Sequence, residues 1–514
     1  MMVTSKRHLA AYRLPAGLCD SCRKTSKQVA RCPGPGPRVT SHVSVTCGHR
    51  VGSGAGSSRR TFLKSAAGSG FAALLLPYVC HSADDVERPN IVIMFLDNIG
   101  YGDLACYGNQ VTKTPRIDRL ATEGVRCTDF YIASPSCMPS RGALLTGRHP
   151  LRNGLNEQLW KIDELQQVAL PHTEVILPRY LAKAGYVSGC FGKWNLGFAR
   201  GSRPTDRGFD EYFGNISGNC DYYTYIYNGR NDLYRNTEPA KADGYSTFVF
   251  ADAACEFIER NKGRPFFCYV PFNAVHYPNP KNKPPGTPCL WQAPDEAFAR
   301  YGYSPKTLDE RERYRAVVTA LDDGIGRVLH QLDRLRLTEK TVVILLSDNG
   351  AFMIPARGLE CASNAPLRAG GTTLWEGGIR VPCIVRWPGR IKPGTVCSEP
   401  LVSMDFVPMV LHAAGLSLPA DRLLDGKDPT AALTGLAPSP HTYLYWRWGT
   451  SSAAIRMGRY KLIRERYSTN QNWQFFDLQT DIGESANLLA ARPELAEHLK
   501  AEYERWEKEA TSGR

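Results

Sequence analysis

The segment "SPSCMPSRGALLTGRHP", Ser134 to Pro150, sets Cys137, Pro139, Ser140 and Arg141 at the opening of an apolar, helix-like run. With Pro139 early in the helix, Cys137 falls at its N-terminus, where unpaired N–H groups and the helix dipole favour an anion. Arg141, four residues on, projects near the same face and adds a two-pronged donor for a tetrahedral anion. A second set of polar residues follows strand-like runs. "IVIMFL" ends in Asp97-Asn98 and "VVILLS" in Asp348-Asn349; "GCFG" is followed by Lys193 and "FFCYVPFNAV" by His276. Two carboxylates and two amide oxygens are hard donors, suited to Ca²⁺ or Mg²⁺ rather than Zn²⁺. One Asp-Asn pair alone is also what a turn after a strand looks like, and a single His276 is often an interior hydrogen-bonded residue. The same dipeptide after two separate apolar runs weighs toward a shared site. Cysteine, arginine, helix terminus and hard cation together describe a pocket for a sulfate or phosphate ester; a buried cysteine beside a surface arginine is the plainer alternative.

Such a pocket needs elements that deliver all of these residues to one rim. From Pro89 onward, short apolar runs rich in β-branched and aromatic residues alternate with helix-like segments. "NIVIMFL", "YVSGCFG", "PFFCYV" and "TVVILL" read as buried strands; "TPRIDRLATEGV", "LPRYLAKAG", "FADAACEFIER" and "RERYRAVVTALDDGIGRVLHQLDRL" read as helices, the first with Thr114 as N-cap and Pro115 in its first turn. The alternation predicts an α/β fold with a mostly parallel sheet covered by helices on both faces, and in such sheets ligands bind beyond the carboxyl ends of the strands. Near residue 410 the texture changes to short antiparallel strands ("TYLYWRWG", "SAAIRMG", "YKLIRERY", "WQFFDLQT") and a terminal helix. The expected organisation is a basic leader over 1–83, a catalytic domain over 84–410 and a smaller α+β unit with an antiparallel sheet over 411–514.

The net charge of +13 does not signal a nucleic-acid partner, because residues 1–64 carry +11 of it and the body is nearly neutral. The leader ends in "SSRRTFLKSAAGSGFAALLLPYV", a basic region before a short, weakly apolar run, with a plausible cleavage point near Ser82 or Ala83. It resembles the bacterial twin-arginine signal and implies export by that machinery to the periplasm or beyond. Eleven cysteines follow residue 83, scattered and odd in number, which is not a disulfide framework.

The body resembles the sulfatases. "CMPSRGALLTGR" fits the signature C-x-P-S-R with its trailing T-G-R, and "PNIVIMFLDNIGYGDLACYG", "FGKWNLG", "VILLSDNGA", "LWEGGIRVP" and "IRMGRYKLI" resemble further blocks of that family in the same order. The resemblance implies an alkaline-phosphatase-like fold and hydrolysis of sulfate esters of carbohydrates or aryl groups. It implies that a formylglycine-generating enzyme converts Cys137 to formylglycine (3-oxoalanine), whose hydrate is the nucleophile. Asp97, Asn98, Asp348 and Asn349 would hold Ca²⁺ together with the modified Cys137; Arg141 and Lys193 would stabilise the nucleophile and the sulfate charge, and His276 would contact sulfate and assist the leaving oxygen.

Three positions depart from the family pattern. Asn98 replaces a second aspartate, which lowers the charge on the metal site. Asn195 replaces the histidine that serves the hydrated aldehyde, and an amide cannot accept a proton as a base. Gly371 stands where a sulfate-binding lysine is usual, with Arg368 as a nearby substitute. In "GNISGNCDYYTYIYNGRNDLYRNT", read as a long loop near the rim, Tyr222 and Tyr223 could stack on a sugar ring and Asp221 hydrogen-bond to it; internal packing of the loop is the alternative. A sulfated-glycan-binding protein without hydrolysis, or a phosphate or phosphonate ester hydrolase, are the alternative functions.

Overall fold

The four apolar runs become adjacent strands at the centre of a ten-stranded sheet. The computed structural model describes residues 88–512 apart from 160–167, 279–282, 284–289, 354–359 and 467–471, so the leader lies outside the described residues. In chain order the strands are β1 (Asn90–Leu96), β2 (Val125–Cys127), β3 (Val187–Phe191), β4 (Glu211–Asn215), β5 (Leu233–Arg235), β6 (Glu238–Pro239), β7 (Phe266–Pro271), β8 (Thr341–Ser347), β9 (Cys383–Arg386) and β10 (Thr395–Cys397). Across the sheet they run β10-β2-β9-β8-β1-β7-β3-β4-β5-β6. The central β8, β1, β7, β3 and β4 are parallel, and only β9 and β5 run against the rest.

Strand side chains alternate between two apolar layers, as a sheet buried on both faces requires. Ile91, Ile93 and Phe95 of β1 face one cluster and Val92, Met94 and Leu96 the other. The main helices are α1 (Pro115–Glu123), α2 (Cys137–Thr146), α3 (Ser246–Asn261), α4 (Glu310–Arg334) and α5 (Phe406–Ala413). α2 and α5 pack on the first layer; α1, α3 and α4 pack on the second. α1 starts at Thr114 and Pro115 as expected, but the Thr114 hydroxyl accepts from Ala105 N and donates to Asp118 rather than capping the helix.

Four antiparallel strands follow, β11 (Leu444–Trp448), β12 (Ser452–Met457), β13 (Tyr460–Arg464) and β14 (Gln474–Asp477). The terminal helix α6 (Pro493–Ser512) covers them, with Leu499, Tyr503 and Trp506 against Ile455, Leu462 and Phe475. The aromatic segment expected as a long loop is instead built of short strands. It holds the end of β4, a hairpin of Ile226–Tyr227 with Arg230–Asn231, and β5.

His149 joins the end of the Cys137 segment to α6. Its Nδ1 accepts from Leu151 N at 3.2 Å and its ring meets Trp506 edge-on at 4.7 Å. Burial, then Arg152, lowers its pKa to about 3. The folded protein therefore holds a neutral imidazole while the unfolded chain takes up a proton below pH 6.5, so stability is lost as pH falls. The loss between pH 7 and pH 5 is expected to be about 2 kcal/mol. Urea unfolding at the two pH values checks it: His149→Asn keeps a cap acceptor that does not titrate and should flatten this part of the slope.

Candidate active site

The register of the sheet brings the two Asp-Asn pairs together. β1 and β8 pair Leu96 with Ser347, so the residues after each strand emerge side by side. Asp348 N donates to Leu96 O at 2.9 Å and Asn98 N donates to Asp348 Oδ1 at 3.1 Å. Asn98 sits at φ 63°, a left-handed turn that short polar side chains tolerate. Asn349 Nδ2 donates to Asn98 Oδ1 at 2.6 Å. Lys193 and His276 leave the sheet just beyond β3 and β7, the next strands along, so four strand ends feed one cluster.

Cys137 is the first residue of α2, and every residue of that helix is buried. Arg141 reaches down from it over the Phe95 ring, donates to Asp348 Oδ2 at 2.7 Å and to Lys193 O at 3.2 Å, and lies 3.7 Å from Asp97 Oδ2. Lys193 Nζ donates to Asp97 Oδ2. All four of these charged side chains are fully buried, and their charges cancel. Asn195, at φ 55°, donates from Nδ2 to Cys137 Sγ at 3.3 Å. Burial raises the Cys137 thiol pKa, with Lys193 opposing it, and burial raises Asp348 to about 6, helped by Asp97. His276 Nδ1 lies 2.8 Å from the Tyr277 carbonyl, which can only accept, so the neutral ring carries its proton on Nδ1 and its lone pair on Nε2. Burial and then Lys193 pull its pKa down to about 3. Imidazole rather than imidazolium therefore faces the site near neutral pH.

The donor set fits a hard divalent cation. Asp97 Oδ1 and Asn349 Oδ1 are buried and accept no hydrogen bond among the described residues, an arrangement that costs free energy unless a positive partner completes it.

Other expected contacts do not join this cluster, and packing corrects them. Asp221 is fully buried and its carboxylate holds its own loop, accepting from Tyr223 N, Thr224 N and Gln292 Nε2. Tyr222 is also fully buried; its hydroxyl donates to His276 O at 2.9 Å and so props the histidine segment. Tyr223 keeps 40% of its surface exposed, but it lines an 870 Å³ groove with Arg116, Arg300, Arg327 and His330 on the outer side of α1 and α4. Arg368 lies 3.7 Å over the Trp375 ring and donates to Glu484 O at 2.6 Å, so it does not stand in for a lysine at 371. A side chain at Gly371 would meet the Phe352 ring at 2.8 Å and Gly350 O at 2.7 Å, and Phe352 packs edge-on to His276 at 5.8 Å. An aromatic wall beside His276 thus takes the space a longer side chain at 371 would need.

Two residues at the site carried no signal in the sequence. Phe352 is one. Gln158 is the other: its Oε1 accepts from Met138 N at 3.2 Å and Ser136 Oγ at 3.1 Å, capping α2, and lies 3.5 Å from Cys137 Sγ.

The profile of the sulfatases matches residues 89–416. The chain belongs to the sulfatase family. Its members named below are sulfuric ester hydrolases, and the fold is the sulfatase, alkaline-phosphatase-like fold. A second profile, N-sulphoglucosamine sulphohydrolase C-terminal, matches residues 372–509 and spans the antiparallel sheet and most of α6. N-acetylgalactosamine-6-sulfatase of Canis lupus familiaris is 35% identical over 412 residues, 76% of this chain and 74% of the relative. Arylsulfatase of Hemicentrotus pulcherrimus is 32% identical over 407 residues, 76% and 69% of the two chains. The crystal structure of Ps i-CgsB in complex with k-i-k-neocarrahexaose matches with a TM-score of 0.73 at 29% identity, over 83% of this sulfatase and 94% of that chain.

Proposed function

We propose that this sulfatase hydrolyses sulfate esters of a sulfated carbohydrate, with the side chain of residue 137, after conversion of its cysteine to formylglycine, as nucleophile. The observation that carries the reading is the placement of Cys137 at the start of a buried helix, with Arg141 and Lys193 on the carboxylates below it. A relative named N-acetylgalactosamine-6-sulfatase and a structural neighbour in complex with k-i-k-neocarrahexaose support sulfated carbohydrate as the substrate class.

Asp97, Asn98, Asp348 and Asn349 would hold Ca²⁺, or Mg²⁺, which supplies Lewis-acid polarisation of the ester when bound. The protein's own charges at the site sum to zero, so a bound divalent ion makes the pocket net positive and suited to an anionic ester. Arg141 and Lys193 stay fixed by Asp348 and Asp97, and their remaining N–H groups are preorganised for sulfate oxygens. His276 presents Nε2 toward the leaving side; burial keeps it a base at rest, and the negative charge of a bound sulfate favours its protonation before the leaving oxygen departs. We further propose export through the twin-arginine machinery to the periplasm or outside, after maturation by a formylglycine-generating enzyme.

The test is the mass of the Cys137 peptide from a host that supplies that enzyme, followed by sulfate release from a panel of sulfated oligosaccharides. The aldehyde mass is expected, with turnover that falls at least about 10³-fold in Cys137→Ala. A modified protein that turns over nothing on the panel would sink the hydrolase. Asn195, which cannot act as a base, and Phe352 in the space beside Gly371 favour one second reading, non-hydrolytic binding of sulfated glycan. Affinity for sulfated oligosaccharide without product would select it.

A further inference from the structure

Two neutral amides bracket the reacting atom of residue 137 from opposite sides of hydrogen-bond chemistry. Asn195 Nδ2 donates to Sγ at 3.3 Å, while Gln158 Oε1 lies 3.5 Å from Sγ on the accepting side. Gln158 is itself held firmly, since the same oxygen accepts from Met138 N and Ser136 Oγ. Under the formylglycine reading, on which this inference rests, Sγ stands in for one oxygen of the modified side chain. We propose that Asn195 and Gln158 form a clamp that holds the aldehyde at position 137 in its hydrated form, with Gln158 as the residue that discriminates between the two forms.

The discrimination follows from donor and acceptor count. When water adds to the aldehyde, its oxygen bonds to the carbonyl carbon, the C=O π pair moves to the carbonyl oxygen, and one water proton follows it. Two hydroxyls result where there was none. An amide N–H, as in Asn195, can donate to a carbonyl or to a hydroxyl oxygen alike. An amide oxygen, as in Gln158, can pair only with a group that has a proton to give. Gln158 Oε1 therefore gains a further donor from position 137, beside Met138 N and Ser136 Oγ, only in the hydrate. One such hydrogen bond shifts the hydration equilibrium about 3- to 10-fold. The clamp also orients the hydroxyl while taking no proton from it, which accounts for an amide at 195 working beside an amide at 158.

An aminooxy probe reads this directly, since it condenses with the free aldehyde and not with the hydrate. The protein is made with the formylglycine-generating enzyme, aldehyde content is fixed by peptide mass, and the labelling rate is measured without substrate. Gln158→Met keeps the length but loses the acceptor, and is expected to label about 3- to 10-fold faster than the wild type. Gln158→Glu keeps an acceptor at the same place and is expected to label no faster than the wild type. Ser136→Ala, which removes one of the donors holding Gln158 but leaves its oxygen in place, is expected to do the same, which separates lost hydration from a loosened site. Equal rates for Gln158→Met and wild type, or labelling of Ser136→Ala or Gln158→Glu as fast as that of Gln158→Met, overturns the clamp while leaving the hydrolase intact. A wild type with no aldehyde removes the formylglycine reading itself, and the clamp with it.

Discussion

Replacing Lys461 with methionine is expected to destabilise the fold by about 3–5 kcal/mol, the cost of leaving buried carboxylates without their cation. Lys461 Nζ donates to Leu374 O and Glu376 Oε1 and contacts Glu484 Oε1, each at 2.8 Å, and all three charged side chains are fully buried. Arg380 and the Tyr131 hydroxyl lend Glu376 further support, at 3.4 and 2.5 Å, so Glu376 stays ionised, with a pKa lowered to about 2. Burial pushes Glu484 the other way, to about 7, against the pull of Lys461. Without Lys461 both carboxylates must take up protons or the strands must part. The difference in urea-unfolding free energy between Lys461→Met and the wild type measures this. Adding Glu376→Gln and Glu484→Gln should return most of the loss, because a neutral trio has no charge to strand. A Lys461→Met protein as stable as the wild type would mean that the two carboxylates do not depend on Lys461 to balance their charge. The contact also connects to the segment that carries Cys137. Lys461, on β13, fixes the chain at Leu374, and Thr372 N two residues earlier donates to Pro135 O, two residues before Cys137. Loosening the antiparallel sheet should therefore reach the proposed nucleophile at residue 137.

The cluster was legible in the sequence where a strand end announced it. Apolar runs of β-branched residues fix β1, β3, β7 and β8, and a parallel sheet has one functional edge, so Asp97, Asn98, Lys193, His276, Asp348 and Asn349 could be gathered without knowing any contact. Cys137 and Arg141 were legible because Pro139 and the apolar run set a helix start. What could not be read depends on partners far away in the chain. Gln158 lies 21 residues beyond Cys137 in a segment with no periodicity, and nothing local says that its amide caps α2. Arg368 looked free to reach a sulfate until Trp375 and Glu484 claimed its guanidinium. The strands β2, β9 and β10, of three or four residues each, are too short for a pattern of their own and exist because a neighbour's edge pairs them. Tyr222 and Asp221 show the same limit: an aromatic, polar segment suggests a ligand platform, and only packing reveals that their polar atoms are already bonded within the fold.

Changing Lys193 to methionine is expected to lower turnover and raise calcium affinity together. Turnover should fall about 10²–10³-fold, the usual consequence of removing one preorganised donor from a developing anion. The metal effect has the opposite sign because the proposed cation and Lys193 would share the charge of the same carboxylate. Lys193 is the near partner of Asp97, and Arg141, at 3.7 Å, is already committed to Asp348. Methionine fills the volume but leaves a buried carboxylate underpaired, which lowers metal-free stability by several kcal/mol. A divalent ion bound through Asp97 supplies the missing charge, so that cost is returned on binding. Calcium should then bind at least about tenfold more tightly than in the wild type, a gain of about 1.4 kcal/mol, and raise the unfolding temperature by a larger increment. Calcium titration by calorimetry, with melting curves in chelator and in calcium, reads both quantities without any substrate. A variant that loses turnover but binds calcium no more tightly would place the ion away from Asp97. Tighter binding with turnover intact would instead take Lys193 out of the sulfate pocket and leave it a partner of the metal's carboxylate alone.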